Sequence, residues 1–585
     1  MATPITQEEI SMKPLWLAFC AVLVGVIGGF GAIVFRMMIG FVHNLLFQAS
    51  LSTNFSAEHH IAPSIWGIGI IFVPVVGAVV VTWLTQTFAP EAKGHGVPEV
   101  MNAIYYGKGK IRPVVALVKA LASAISIGSG GSIGREGPIV QVGSAFGSSL
   151  GQLFTMSVSQ RNLMIAAGAA AGIAATFNAP IGGLAFAFEL LMVSISASTV
   201  GMVAIATVTA TYIANVFIGL APSFDVPKIT LALHHIYSLP MLLWFVPFGI
   251  IMGLVSALFI RSIYWTEDTF DRVFHNPYIR HMFGMFLLGV LMYALLRLTG
   301  EYYVAGVGYS TIIELLRGIL TNPWFLLILF IVKLLATCLT LGSGASGGIF
   351  SPSLFLGATF GASFAAFLNH FAPGLHADPV MFTVAGMAAM VSGTTGAVIT
   401  AITMTFEQTR DYSAILPIML SVALAYMIRV MVCKESIYTL KLKRRGFALP
   451  QGLLAAYNPS QIATDFMSTD FEIIEKEDVS AWLEDLDPLN AKKYTLVEEN
   501  GEVIGVIRKE LRYLMADVAP AKAINTNIIF VRPDSRWPVV IRYMQRKNSE
   551  IALVNYRKGL EKTSSVVGVI SPIEILDATS KTSEL

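Results

Sequence analysis

The chain has 585 residues, of which 55% are hydrophobic and only 13% are charged. Soluble domains carry about 25% charged residues, so the composition excludes an ordinary soluble enzyme and points to lipid as the solvent for most of the length. The net charge of +2 selects no nucleic-acid partner.

Residues 1–14 are polar and acidic rather than a positive signal leader, and are predicted to lie in the cytoplasm. Thr6 and Glu9 have capping-box spacing ahead of the first apolar run, which starts at Leu15 and is predicted to be retained as a helix. Uncharged windows then recur at 66–90, 162–188, 190–224, 240–260, 334–375 and 380–406. Each can hold a spanning helix of about 20 residues, and some can hold two shorter helices joined by a break. Cys20, Cys338 and Cys433 lie in or beside apolar segments and have neither disulfide nor metal-ligand spacing. The composition changes near residue 445, after Lys441, Lys443, Arg444 and Arg445. Such a basic cluster beside the last span predicts a cytoplasmic tail.

The membrane region is internally duplicated. Residues 117–149 match 331–363 at 14 of 33 positions, an offset of 214, and residues 166–190 match 384–408 at 9 of 25, an offset of 218. The halves run over about 15–225 and 235–445. They break at matching places, GSGGSIGREGP at 128–138 and GSGASGGIFSP at 342–352. Duplicated halves with broken helices are a transporter signature, with the substrate bound where the breaks meet. Irregular backbone at membrane depth is tolerated only when buried in protein or lining a cavity.

A glycine-rich break that opens a helix presents bare N–H groups and the positive end of a dipole, which together hold an anion without a full charge. Three helix starts fit: at GHGVPE (94–99), at GREGP (134–138) and at GGIFSP (347–352). The candidate anion contacts at these starts are His95, Gly96, Arg135, Gly137 and Gly348. Glu136 is the sharpest single residue. Its carboxylate can take the place of an anion and gate the path, or serve only as a helix cap. Lys119 and Lys333, one per half, sit inside apolar segments. They either shape the field of the pore or bond nearby carbonyls as a structural pair.

GREGP followed by GGIFSP, with FNAPIGG at 177–183 and the late Tyr438, resembles the CLC family of chloride channels and chloride/proton exchangers over residues 15–445. The resemblance implies an α-helical polytopic membrane protein with two inverted repeats and re-entrant helices. It implies a homodimer with one pore per subunit in the cell's plasma (inner) membrane. It makes Glu136 the gating glutamate and places the central anion on the amides of Ile349 and Phe350 and the hydroxyl of Tyr438. Two positions depart from the family pattern. His95 stands where serine or proline is usual, so its ring either donates to the anion or turns away. Leu190 follows Glu189 where many exchangers have a second glutamate that passes protons. Leucine cannot carry a proton, which favours a passive channel; a proton-coupled exchanger is the alternative.

After a linker at 446–458, residues 459–585 resemble a tandem pair of CBS modules. The Asn500-Gly501 step predicts a β-hairpin. Ser571 and Glu574 have helix-cap spacing, and the resemblance implies that these groups could instead meet the ribose of an adenine nucleotide. No phosphate loop supports hydrolysis, and the spans lack clustered metal ligands. The protein is therefore read as a transporter that needs no cofactor, with chloride or a similar anion as its cargo.

Overall fold

The computed structural model describes residues 12–192, 195–219, 224, 239–410, 414–447, 462–485, 492–508, 524–547, 549–556 and 563–574. Thr6 and Glu9 lie outside them. The chain divides into two compact units, residues 1–448 and 449–585.

The first unit is helical. Its first half holds α1 (Pro14–Gln48), α2 (Val73–Thr87), α3 (Val97–Tyr105), α4 (Pro113–Gly128), α5 (Glu136–Leu153), α6 (Val158–Phe177), α7 (Pro180–Phe186) and α8 (Ala197–Ile218). The second half holds α9 (Leu239–Val273), α10 (Pro277–Thr299), α11 (Tyr309–Leu316), α12 (Pro323–Ser343), α13 (Phe350–Phe371), α14 (Pro379–Thr395), α15 (Val398–Thr409), α16 (Ile415–Val432) and α17 (Ile437–Arg444). Local chemistry sets many boundaries. Proline opens α4, α10, α12 and α14 at positions where its missing N–H is harmless. The Asn276, Asn322 and Asp378 side chains cap the last three of these. Eight helical stretches among the described residues are long and apolar enough to cross a membrane. Leu15, Trp16, Phe19, Val208, Tyr212 and Trp265 are exposed on helix surfaces, where lipid rather than water is the fitting solvent.

The duplication seen in the sequence is structural. α1 lies against α8 as α9 lies against α16, and α5 against α6 as α13 against α14. The α5–α6 crossing is so close that a Cβ at Gly143 would fall 2.1 Å from the Gly168 carbonyl oxygen. Their repeat mates Gly357 and Gly386 meet at the same 2.1 Å. Small residues let backbones approach where lipid offers no hydrophobic drive between helices.

The halves also exchange contacts reciprocally. The Glu189 carboxylate accepts from the N–H groups of Ile399 (2.8 Å) and Thr400 (2.7 Å) at the start of α15. Glu407, its mate 218 residues on, accepts from Ile181 (3.0 Å) and Gly182 (2.6 Å) at the start of α7. Gly134 and Gly348, mates at offset 214, bond each other through both N–H groups at 2.8 and 2.7 Å. Contacts in which i meets j′ while i′ meets j are the mark of a two-fold axis, and it passes between these two glycines.

The second unit contains two copies of one small motif. β1 (Phe471–Glu475) pairs in parallel with β2 (Tyr494–Glu499), which pairs antiparallel with β3 (Glu502–Arg508). β4 (Ile528–Val531), β5 (Ile551–Asn555) and β6 (Val566–Ile570) repeat this order. The short helices Val479–Asp485 and Trp537–Lys547 each follow the first strand of a set. Even the bulges correspond, at Val497/Glu498 and Val554/Asn555. The predicted hairpin turn is present, with Asn500 at φ 55° and Gly501 at φ 79°, the left-handed pair that a two-residue hairpin favours.

Candidate functional site: three bare helix starts around Glu136

The three glycine-rich breaks each open a helix: α3 after Gly96, α5 at Glu136 and α13 after Ile349. The first starts inside its motif, at Val97, because Pro98 suits the first turn. Cross-links hold the breaks together. Gly94 donates to the Ala345 carbonyl and accepts from Gly347 (3.1 and 3.2 Å), while Gly134 and Gly348 bond as described. Gly137 lies against the His95 carbonyl, and a Cβ there would fall 2.1 Å from it. His95, Gly96, Arg135, Gly137, Gly348, Ile349 and Phe350 are thus brought to one place. Among the described residues, the N–H groups of Gly137, Ile349 and Phe350 bond no protein acceptor. Orphan donors at a helix start are what an anion would satisfy.

The Glu136 carboxylate fills part of this space. It is 2% exposed. It does not cap its own helix; it reaches across to the start of α13. Oε1 accepts from the Tyr309 hydroxyl at 2.8 Å and from the Ser351 hydroxyl, and Oε2 accepts from the Ser351 N–H at 3.3 Å. Tyr309 and Ser351 were not singled out in the sequence. Their signals were available: Ser351 lies inside GGIFSP, and GVGYST at 306–311 is the second half's counterpart of GHGVPE. Arg135 turns away from the anion space. Its guanidinium lies 5.3 Å from the centre of the Tyr309 ring and reaches the Thr176 carbonyl at 3.4 Å. It also lines a pocket with Arg36, His43, His60, Tyr302 and Ser310. Tyr438, 2% exposed, stands at the start of α17, which packs on α3.

Lys119 and Lys333 are fully buried and bond carbonyls. Lys119 donates to Ala92 (2.9 Å) and Gly94 (2.7 Å), and Lys333 to Val304 (3.0 Å) and Gly306 (2.9 Å). Each amine thereby ties down the backbone just ahead of α3 or α11. These are the carbonyl bonds that the structural reading of the two lysines anticipates. Glu189 has both oxygens engaged at the start of α15, and Leu190 is buried beside it. Among the described residues no group of three or more His, Cys, Asp or Glu is placed to hold a metal ion.

In the second unit, Ser571 and Glu574 form a cap. The Glu574 carboxylate accepts from the Ser571 N–H (3.0 Å) and hydroxyl (2.7 Å) and from the Tyr494 hydroxyl, and pairs with Lys493 at 2.7 Å. Burial pushes this carboxyl up, but the bonds from Lys493, Tyr494 and Ser571 outweigh it and hold it below the usual glutamate range. The stability it contributes is complete above the ordinary value of 4.5. It is lost as pH falls through the lower folded value. Glu574→Gln is therefore expected to destabilise this unit of the full protein at neutral pH, and the difference from wild type to vanish in acid. Tryptophan fluorescence followed through denaturant titrations at several pH values checks this.

Residues 76–429 match the family described as Voltage gated chloride channel. The chain belongs to the CLC family. A putative chloride channel protein ClcB-like of Ralstonia nicotianae is 31% identical over 381 residues, 64% of this chain and 85% of the relative. The H(+)/Cl(-) exchange transporter ClcA of Citrobacter koseri is 32% identical over 417 residues, 70% of this chain and 84% of the relative. Among solved structures, a slow cyanobacterial Cl-/H+ antiporter superposes with a TM-score of 0.65 at 26% identity, covering 74% of this chain and 99% of that one. The first unit is thus a CLC anion-transport fold embedded in a membrane, and the protein is not an enzyme.

Proposed function

We propose that each chain conducts chloride along a path gated by Glu136. The observation that carries this is the docked carboxylate, which accepts from Tyr309 at the start of α11 and twice from Ser351 at the start of α13, beside the free N–H groups of Ile349 and Phe350. A negative group and a halide compete for one set of donors. Protonating Glu136, or swinging it out, vacates the place. The anion would then rest on the amides of Ile349 and Phe350 and on the Tyr438 hydroxyl, with the α3 start at His95 and Gly96 as the next stop.

Leu190 favours passive conduction, since the residue after the α15-capping Glu189 cannot take up a proton. The exchanger reading draws support from the relatives, of which one is named an exchange transporter and one an antiporter. Purified protein in liposomes, with chloride and pH recorded together under a chloride gradient, separates the two. Passive conduction is expected to dissipate the chloride gradient while moving no protons uphill. Uphill proton movement would make the protein an exchanger.

The β-α-β-β motif that occurs twice, with strands from β1 to β6, fits a CBS pair in the cytoplasm. An adenine nucleotide is the proposed regulator there. It would have to compete with Lys493 and Tyr494 for Ser571 and Glu574. A homodimer in the plasma membrane completes the reading.

A further inference from the structure

Four cations end the membrane unit, at Lys441, Lys443, Arg444 and Arg445. Three are ion-paired: Lys443 with Glu435 at 2.9 Å, Arg445 with Glu99 at 2.6 Å, and Arg444 with Asp268. Lys441 differs. It is the most buried of the four, at 8% exposure, and among the described residues no carboxylate lies within 4.0 Å of its amine. The acids within electrostatic reach are Glu267 and Glu99, and Glu99 is already held by Arg445. A cation without an acidic partner in a largely buried setting is compensated by solvent or by an anion.

The amine points at the α3 break. Its nitrogen stands 2.5 Å from where a Cβ on Gly94 would be, and Gly94 holds φ 79°, so only a glycine leaves it room. His95 follows. It is 3% exposed, and its Nδ1 has no hydrogen-bond partner. Lys441 and Lys119 both act on this ring electrostatically. Lys119 is spent on two carbonyls, as described. Around the start of α3 there are therefore an amine without an acidic partner, an unpaired ring nitrogen and the N–H groups of Gly96 and Val97, which among the described residues bond no protein acceptor, whereas Glu99 and Val100 both donate to the Gly96 carbonyl. The amine and these N–H groups are donors that a small anion would satisfy, as is the His95 ring when Nδ1 carries the proton.

We propose that Lys441 sets the anion affinity of this entrance, as a full positive charge beside His95 that a halide meets before reaching Tyr438. The inference rests on the reading of this region as the anion path. A fixed cation binds a halide more tightly than helix amides alone, and it disfavours a proton in the same place. The entrance is thereby tuned towards anions moving alone. Release stays possible because the amine is a single point charge rather than a closed cage of donors.

The test is chloride flux through the purified full chain in planar bilayers, titrating chloride separately on each face. Lys441→Met is expected to raise the half-saturating chloride concentration at least about tenfold on the face that carries the basic cluster. No change is expected on the other face. Lys441→Arg keeps the charge at every pH and is expected to restore the wild-type value within about threefold. Equal half-saturation in wild type and Lys441→Met would overturn the proposal. If the methionine variant does not fold, Lys441→Gln against Lys441→Arg makes the same comparison, and equal values for that pair overturn it too. A wild-type protein that carries no halide at all would instead overturn the functional reading, leaving the two failures distinguishable.

Discussion

Glu136→Ala is expected to leave chloride flux intact or several-fold faster and to abolish its dependence on pH. The wild-type carboxylate is buried and accepts from Tyr309 at the start of α11 and from Ser351 at the start of α13. Two unit charges about 4 Å apart interact by about 4 kcal/mol at an effective dielectric near 20, so the carboxylate outcompetes a halide while it stays ionised and docked. Alanine removes the competitor and leaves the donors in place. The Tyr309 hydroxyl and the Ser351 hydroxyl and N–H then add to the free amides of Ile349 and Phe350, so the path gains anion donors. Glu136→Gln has nearly the wild-type shape but no charge, and should behave as a permanently protonated glutamate. Any coupled proton movement should fall to background in both variants. Chloride efflux from liposomes at several pH values reads all of this. A fall of tenfold or more in flux for folded Glu136→Gln would show that the carboxylate is needed for conduction rather than opposed to it.

Much of this site was legible in the chain because its chemistry lies in the backbone. Glycine-rich breaks that open helices can be read from residue types alone, and the structure brings all three of them together. The two-fold relation was half legible. The matching offsets of 214 and 218 revealed the duplication, but only the exchanged contacts of Glu189 and Glu407 show that the halves face each other across an axis. The docking of Glu136 was not legible. A glutamate at the first position of a helix reads locally as a cap, and its partners Tyr309 and Ser351 lie 173 and 215 residues away. The lysines show the same limit. Position told that Lys119 and Lys333 are buried; the carbonyls they bond, 25 to 29 residues upstream, are visible only in the fold. Lys441 was hidden for the opposite reason. A four-cation cluster beside a span reads as a surface feature, and only packing separates the one amine that turns inward.

The reciprocal caps lead to the second large effect. Glu189→Ala and Glu407→Ala are each expected to lower the unfolding free energy by about 2–4 kcal/mol. Each change strands two N–H groups at a helix start and removes the negative charge that complements the dipole there. Lipid or tightly packed protein supplies no water to replace it. Glu189 has one more bond, from the Thr400 hydroxyl at 2.6 Å, whereas its mate bonds Gly182, which has no side chain. Glu189→Ala should therefore cost the more of the two. Glutamine keeps one acceptor and loses the charge, so each Gln variant should fall between Ala and wild type. Thermal unfolding of detergent-solubilised protein gives this order. The same variants also bear on proton coupling. With Leu190 beside it, Glu189 is placed to hold α15 rather than to pass protons, so chloride flux per folded molecule should be unchanged in Glu189→Gln. A variant with wild-type stability but altered proton movement would reverse that assignment. It would make the cap the inner proton acceptor and favour the exchanger over passive conduction.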